Sequence, residues 1–229
     1  MNDRQTRPLG LARLLTFAGR LKDLKRTGWL DRGVPAEAAE SVADHTYRTT
    51  LLAWLAAATD LALDRDRILK LALIHDLAEA ITGDPAPYRP DELPPDRDRA
   101  ARQAFFRVRH LRTPENAAAK REAERAAIAD MLGPLPAALR VELRELWDEY
   151  ERQASPEARF VKEADRLEAF LQSREYLVDD PELPVWGFAD MAAHEVHHPA
   201  LTALRDAFEA EDVATLPGTK EPTWTESIQ

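Results

Sequence analysis

The sequence predicts an all-α protein folded as a single helical domain over residues 1–229. Three observations carry that expectation. Glycine is scarce, with 8 in 229 residues. Ala, Leu, Arg and Glu, all good helix formers, recur throughout. The alternation of Val, Ile, Thr and aromatics that marks a half-buried strand is nearly absent.

The first helix is expected through "LARLLTFAGRLKDLKRT", where Leu11, Leu14, Leu15, Ala18, Leu21 and Leu24 form one apolar stripe and Gly28 stops it. A second covers Ala38 to Thr59. A third, capped by Asp64, runs through "RDRILKLALIHDLAEAIT" to Gly83. The next stretch, "DPAPYRPDELPPD", carries five prolines and cannot continue a helix, so it reads as an ordered loop or lid. Helical patterns resume over 96–112, 115–132, 136–153 and 156–178. Pro181 and Pro184 open an irregular stretch, Pro199 starts a short helix ending near Glu211, and the tail reads as frayed. No internal repeat and no domain-separating linker is visible.

The chain carries 31 Lys+Arg against 41 Asp+Glu, a net charge of −10, which repels a phosphate backbone and excludes bulk nucleic-acid binding. A small anionic substrate stays compatible, since a metal or a few placed arginines reverse the field locally. With no cysteine, disulfides, thiolate nucleophiles and Cys-ligated zinc are excluded. No signal peptide is visible, and the most apolar run, "TTLLAWLAAATDLAL", is interrupted by Asp60, so no membrane association is expected. These features predict a soluble cytoplasmic protein.

Three of the six histidines fall in "HEVHH", residues 194–198, which matches the H-E-x-x-H zinc-protease helix. That site needs both histidines one turn apart on a continuing helix. Pro199 follows His198 immediately and disfavours helix there, and no histidine follows to complete the ligand set. A histidine cluster beside a helix start is the expected reading, and His194 is expected to hold no metal.

The chemistry concentrates in "LALIHDLAEAITGD", residues 71–84. His75 and Asp76 sit amid Leu71, Leu73, Ile74, Leu77 and Ile81, so the helix is apolar on nearly every side and expected to be buried. Buried ionisable groups need partners. Glu79 lies one turn on, and Asp84 follows Gly83. Upstream, Asp44 and His45 open another core helix. Downstream, Asp165 is bracketed by Phe160, Val161, Ala164, Leu167, Phe170 and Leu171. His45, His75, Asp76 and Asp165 are therefore candidates to meet on one divalent ion. Two imidazoles and two carboxylates suit Mn, Co, Fe, Ni or Zn, and Mg less naturally.

These residues resemble the H…HD…D ligand set of the HD-domain metal-dependent phosphohydrolases. "RTGWLDRGV", "ESVADHTYR", "LALIHDLAEAITGD" and "VKEADRLEAFL" are more similar still to the 5′-deoxynucleotidase branch; they span residues 25–177 and leave 178–229 as a helical extension. The resemblance implies a helical phosphomonoesterase acting on (deoxy)ribonucleoside 5′-monophosphates. It implies that Glu79 assists the attacking water, that Asp84 helps place it, and that Arg26, with Trp29 beside it, contacts the substrate. Thr27 and Gly28 separate Arg26 from Trp29, whereas in bacterial members a Trp follows the Arg directly, so deoxyribose selectivity stays open. Tyr88 and Arg89 on the proline-rich loop are candidates to cover the base. A homodimer is implied by the family. A phosphodiesterase or (p)ppGpp-type hydrolase shares the same ligand set, and a non-catalytic regulatory domain with a structural metal is the alternative from another class.

Overall fold

The computed structural model describes residues 3–210. Eleven α-helices and no β-strand occur among the described residues. They are α1 (Asp3–Arg20), α2 (Thr27–Leu30), α3 (Val42–Ala56), α4 (Arg65–Ile74), α5 (Glu79–Thr82), α6 (Arg99–Phe105), α7 (Pro114–Leu132), α8 (Ala137–Arg152), α9 (Pro156–Asp179), α10 (Trp186–Glu195) and α11 (Pro199–Ala210).

Local chemistry explains most boundaries. Ser41 and Asp44 form a reciprocal capping box that starts α3. Asp64 caps α4 through the amides of Asp66 and Arg67, as its place in the sequence implied. Thr113 and Ser155 cap α7 and α9, each with proline at the first helical position. Gly83, at φ 74°, turns the chain out of α5 in a conformation a side chain would resist. At Gly10 a Cβ would lie 2.5 Å from Pro134 O, so the close crossing of α1 over the α7–α8 turn requires glycine.

The long helix α9 packs against α3, α4, α8, α10 and α11, while α7 joins α8 to α5 and α1. Ile68, Leu71, Ala164, Leu167 and Leu201 are fully buried in the main core. Truncating one such leucine to alanine costs about 2–5 kcal/mol. A smaller cluster of Trp29, Val34, Ala39, Tyr176, Leu183 and Val185 fastens α2 to the end of α9.

Four differences from the sequence expectation have physical reasons. The helix expected over 38–59 begins only at Val42, because Ser41 supplies the cap, and it ends in a 3-10 turn at Ala57–Thr59. The segment 96–112 is helical only over Arg99–Phe105. Residues 186–195, expected to be irregular, form α10, which rests on α9. The helix expected to run unbroken to Gly83 is interrupted between α4 and α5, at His75–Ala78. The first helix also differs: α1 spans Asp3–Arg20, ending in a turn well before Thr27, and Gly28 lies inside α2 rather than stopping it, while the predicted frayed tail lies outside the described residues.

Candidate active site

The interruption at His75–Ala78 positions the site. His75 Nδ1 donates to the carbonyl of Ala72 at 2.7 Å, so the imidazole takes up a backbone acceptor of its own helix. Beyond it the amides of Leu77, Glu79, Ala80 and Ile81 bond three residues back rather than four. That pairing is 3-10-like and tightens the turn. Adjacent residues His75 and Asp76 thereby face one point, with His75 Nε2 at 3.1 Å from Asp76 Oδ2.

Two other helices deliver the remaining groups to that point. His45, from the first turn of α3, places Nε2 at 3.0 Å from Asp165 Oδ1 of α9 and at 3.7 Å from Asp76 Oδ2. Donor atoms of His45, His75 and Asp165 all lie within 4.8 Å of one another. His75 Nε2 is buried without a well-directed hydrogen bond, and with the ring proton on Nδ1 it turns a lone pair toward the Asp76 carboxylate 3.1 Å away. A buried polar atom without a partner is costly unless something else binds it. The donor set therefore fits a divalent cation, with the Nδ1 bond fixing the tautomer that leaves Nε2 free to ligate.

The electrostatics agree. Burial pushes the Asp76 and Asp165 carboxyls up, but their neighbours outweigh it: the adjacent His75 ring and the Arg26 guanidinium hold Asp76, and Lys162 and His45 hold Asp165, well below the usual carboxylate range. Burial and Arg26 pull His45 down, yet Glu168 and Asp165 raise it well above an ordinary imidazole. An imidazolium at His45 and a divalent cation satisfy the same carboxylates, so metal binding displaces that proton.

A ring of groups unremarked in the sequence supports these donors. Glu168, fully buried one turn beyond Asp165, accepts from His45 Nδ1 and from Arg48 Nε. Arg48 is in turn held by Gln172 and Glu175. Tyr150 Oη and Lys162 Nζ donate to Asp165 Oδ2 at 3.2 and 2.9 Å. The signal for Glu168 was present: it is a carboxylate on the apolar face of "ADRLEAFL".

Glu79 is 5% exposed, and its Oε2 has no partner. Burial, then the charges of Asp76 and Asp84, raise its carboxyl well above the ordinary value. Arg26 Nη1 reaches Asp76 Oδ2 at 3.2 Å and its Nε lies 3.7 Å from Asp84 Oδ2. Asp84 also accepts from the amide of Thr27 at 2.8 Å, which ties α2 to the end of α5. Asp76, Glu79, Asp165, Arg26 and Asp84 line one cavity of about 460 Å3, together with the unanticipated Arg112, Lys120 and Arg166.

A second cavity, of about 270 Å3, adjoins it. Trp29 forms part of its wall but is only 2% exposed; its indole N–H donates to Glu40 at 2.7 Å, and its ring packs on Tyr176 and Phe188. Tyr88 lines the same cavity, its hydroxyl donating to Asp31. Arg89 does not join it and pairs with Asp91 in solvent. The "HEVHH" stretch is split. His194 is in the last turn of α10, while the His198 carbonyl receives the first amides of α11 and its Nε2 faces Asp60 at 3.2 Å. Glu195 lies between Arg109 and Arg166.

The chain belongs to the HD-domain family, whose profile matches residues 18–197. It is similar to the 5′-deoxynucleotidase HDDC2 of Mus musculus, 37% identical over 90% of both chains. The protein of that name from Homo sapiens is also 37% identical, over 88% of this chain and 85% of its own. Among solved structures, a conserved hypothetical protein from Pyrococcus furiosus superposes with a TM-score of 0.59 at 28% identity, covering 86% of this chain and 98% of that one. Membership in this family and the donor set together make the cofactor a divalent metal ion.

Proposed function

We propose that the chain is a metal-dependent phosphomonoesterase that hydrolyses (deoxy)ribonucleoside 5′-monophosphates to nucleoside and phosphate. One observation carries the reading. The Nε2 of His75 and an oxygen of Glu79, both buried without a well-directed hydrogen bond, and the guanidinium of Arg26 gather around Asp76 and Asp165. Asp76 and Asp165 of the ligand set thus line one cavity together with the carboxylate of Glu79 and the guanidinium of Arg26, with the two histidines buried behind them. The names of the relatives point to the same substrate class.

His45, His75, Asp76 and Asp165 would hold the divalent ion. When bound there, it supplies Lewis acidity toward a phosphate oxygen and lowers the pKa of a water molecule. Glu79, buried beside Asp76 with one oxygen free of hydrogen bonds, takes the proton from the attacking water. Arg26 donates charge-assisted hydrogen bonds to the phosphate. Asp84 holds Arg26 and the Thr27 amide in place and lines the cavity, where its carboxylate would help place the attacking water. Trp29 shapes the sugar side of the site through its packing on Phe188.

The test is phosphate release from a panel of nucleoside monophosphates by stripped protein before and after Mn or Co is restored. Metal-dependent release is expected, with Glu79→Ala about 10²–10⁴-fold slower. No release with either metal, or a Glu79→Ala enzyme as fast as wild type, overturns the reading. Longer phosphodiester and (p)ppGpp-type substrates in the same panel test the related chemistry. A cytoplasmic setting and a homodimer complete the proposal. The exposed apolar stripe of Tyr47, Leu51, Trp54 and Leu55 on α3 is the surface such a dimer would bury, and sedimentation equilibrium decides it.

A further inference from the structure

The buried face of α7 carries Glu124, Ala127, Ile128, Met131 and Leu132. Glu124 is the odd member. Only 4% of it is exposed, and its Oε2 has no hydrogen-bond partner. Its Oε1 accepts from Lys120 Nζ, one turn back on the same helix. A buried carboxylate needs such a partner. Helix stability does not explain the pair, because an i, i+4 ion pair contributes little and the order with lysine first is the poorer one. What the pair does is fix an ammonium in place. Lys120 and Glu124 line the cavity that also holds Asp76, Glu79, Asp165 and Arg26.

Lys120 has donors to spare there. Lys162 spends its ammonium on Asp165 and Tyr150. Arg166 pairs with Glu195, Arg112 donates to the carbonyls of Ala86 and Pro85, and Arg121 is exposed. Among the described residues Lys120 makes one hydrogen bond, to Glu124, whereas an ammonium offers three donors. Its charge also reaches the proposed base: burial and the charges of Asp76 and Asp84 raise the Glu79 carboxyl, and those of Arg26 and Lys120 oppose them. A transferred phosphoryl group spreads its charge over three equatorial oxygens. Under the reading above, one is met at the metal position and one by Arg26. The third has no donor in that account.

We propose that Lys120 is a further substrate-binding residue, whose ammonium, anchored by Glu124, donates to the phosphoryl oxygen that neither the metal nor Arg26 covers. Lys120 comes from α7 and Arg26 from the segment before α2, so two separate elements close on one phosphate. Glu124 acts through Lys120 and is a positioning residue. The proposal rests on the phosphomonoesterase reading for the role of that phosphate.

The experiment measures, by calorimetry, the Kd of inorganic phosphate in the Co-loaded protein and the Kd of Co in the stripped protein. Each is set beside kcat/KM for a deoxynucleoside 5′-monophosphate. Lys120→Met is expected to weaken phosphate binding and kcat/KM about 10- to 100-fold, the worth of a charge-assisted hydrogen bond, with the Co affinity unchanged. Lys120→Arg, which keeps a cation on the same anchor, is expected to recover most of the phosphate binding. Lys120→Met alone strands a buried carboxylate, so the double variant Lys120→Met/Glu124→Gln removes that charge too and reads the same loss in a protein shown folded by thermal melting. Glu124→Gln is expected to weaken phosphate binding in the wild-type background and to add nothing to Lys120→Met, since one acts through the other. Wild-type phosphate affinity in the double variant, or a Co affinity that falls in parallel with phosphate, overturns the assignment. Phosphate binding that depends on Lys120 in a protein releasing no phosphate from any nucleotide would instead overturn the phosphomonoesterase reading and leave Lys120 as an anion contact.

Discussion

Replacing Glu168 by glutamine tests whether the donors are held from behind. Glu168 is fully buried and receives the Nδ1 proton of His45 while Arg48 donates to its other oxygen. Glutamine keeps the volume and one acceptor oxygen but removes the charge, and its amide then faces the Arg48 donor. A hydrogen bond to a carboxylate is roughly twice as strong as one to a neutral acceptor, which puts the loss at about 1–2 kcal/mol. With a factor of ten for about every 1.4 kcal/mol, metal affinity should fall on the order of 10- to 100-fold, the usual range for partners behind a ligating histidine. The assay is calorimetric titration of Mn or Co into stripped protein, paired with kcat at saturating metal. The expected signature is a weakened metal Kd with kcat recovered to within about threefold once metal is in excess, because Glu168 acts only through His45. Unchanged metal affinity, or a kcat that stays low at saturating metal, would refute the reasoning. Thermal melting separates this from simple unfolding, since Arg48 keeps Glu175 and Gln172 as partners.

Two further outcomes follow from residues outside the donor set. Burial and the neighbouring Glu168 push the Glu40 carboxyl up to about 7. The folded state thus binds that proton more tightly than the unfolded chain, so the stabilisation is full below about pH 4.5 and is lost as pH rises through about 7, by at most about 3 kcal/mol. Glu40→Gln, which keeps an acceptor for Trp29, should flatten the fall in unfolding free energy between pH 5 and 8 in urea titrations of the stripped protein; an unchanged slope would dismiss Glu40 as its source. In "HEVHH", Glu195→Ala should lower stability by about 1–3 kcal/mol because it strands Arg109 and Arg166, whereas His194→Ala, exposed on α10, should leave phosphate release at the wild-type rate. Activity lost with His194 would reopen that stretch as a working site.

The donor set was legible because each member is a polar residue set in an apolar helical pattern, and a core helix tolerates such a residue only with a partner. Glu79 and Asp84 were legible from the same stretch. Arg112 was not, since it follows a short helix in an irregular segment and acquires its place only when the proline-rich loop folds against it. Lys162 and Tyr150 were hidden for a similar reason: they belong to α9 and α8 and meet at Asp165 only after those helices pack. Trp29 was legible as a residue near the site, but its burial between Tyr176 and Phe188 depends on α9 and α10, from more than 140 positions away in sequence. The helix α10 was missed because Pro181 and Pro184 drew the reading, although Phe188, Ala189 and Ala192 keep a helical spacing.

The break at His75–Ala78 was the least legible feature and the one on which the site most depends. The run "LALIHDLAEAIT" is apolar enough to read as one helix, and on a regular helix His75 and Asp76 would diverge by about 100°. The imidazole itself resolves the conflict. By donating to Ala72 O it captures a carbonyl of its own helix, and the following amides retreat to partners three residues back. That hydrogen bond fixes the tautomer of His75, and within the tightened turn Asp76 lies 3.1 Å from the same ring. Glu79, one turn beyond His75 and Asp76, opens α5 as a buried carboxylate. The proposed ligands His75 and Asp76 and the proposed base Glu79 thus all fall at or just after one local tightening of the helix. No glycine or proline falls between Leu71 and Thr82, so the usual helix-breaking residues do not mark the break.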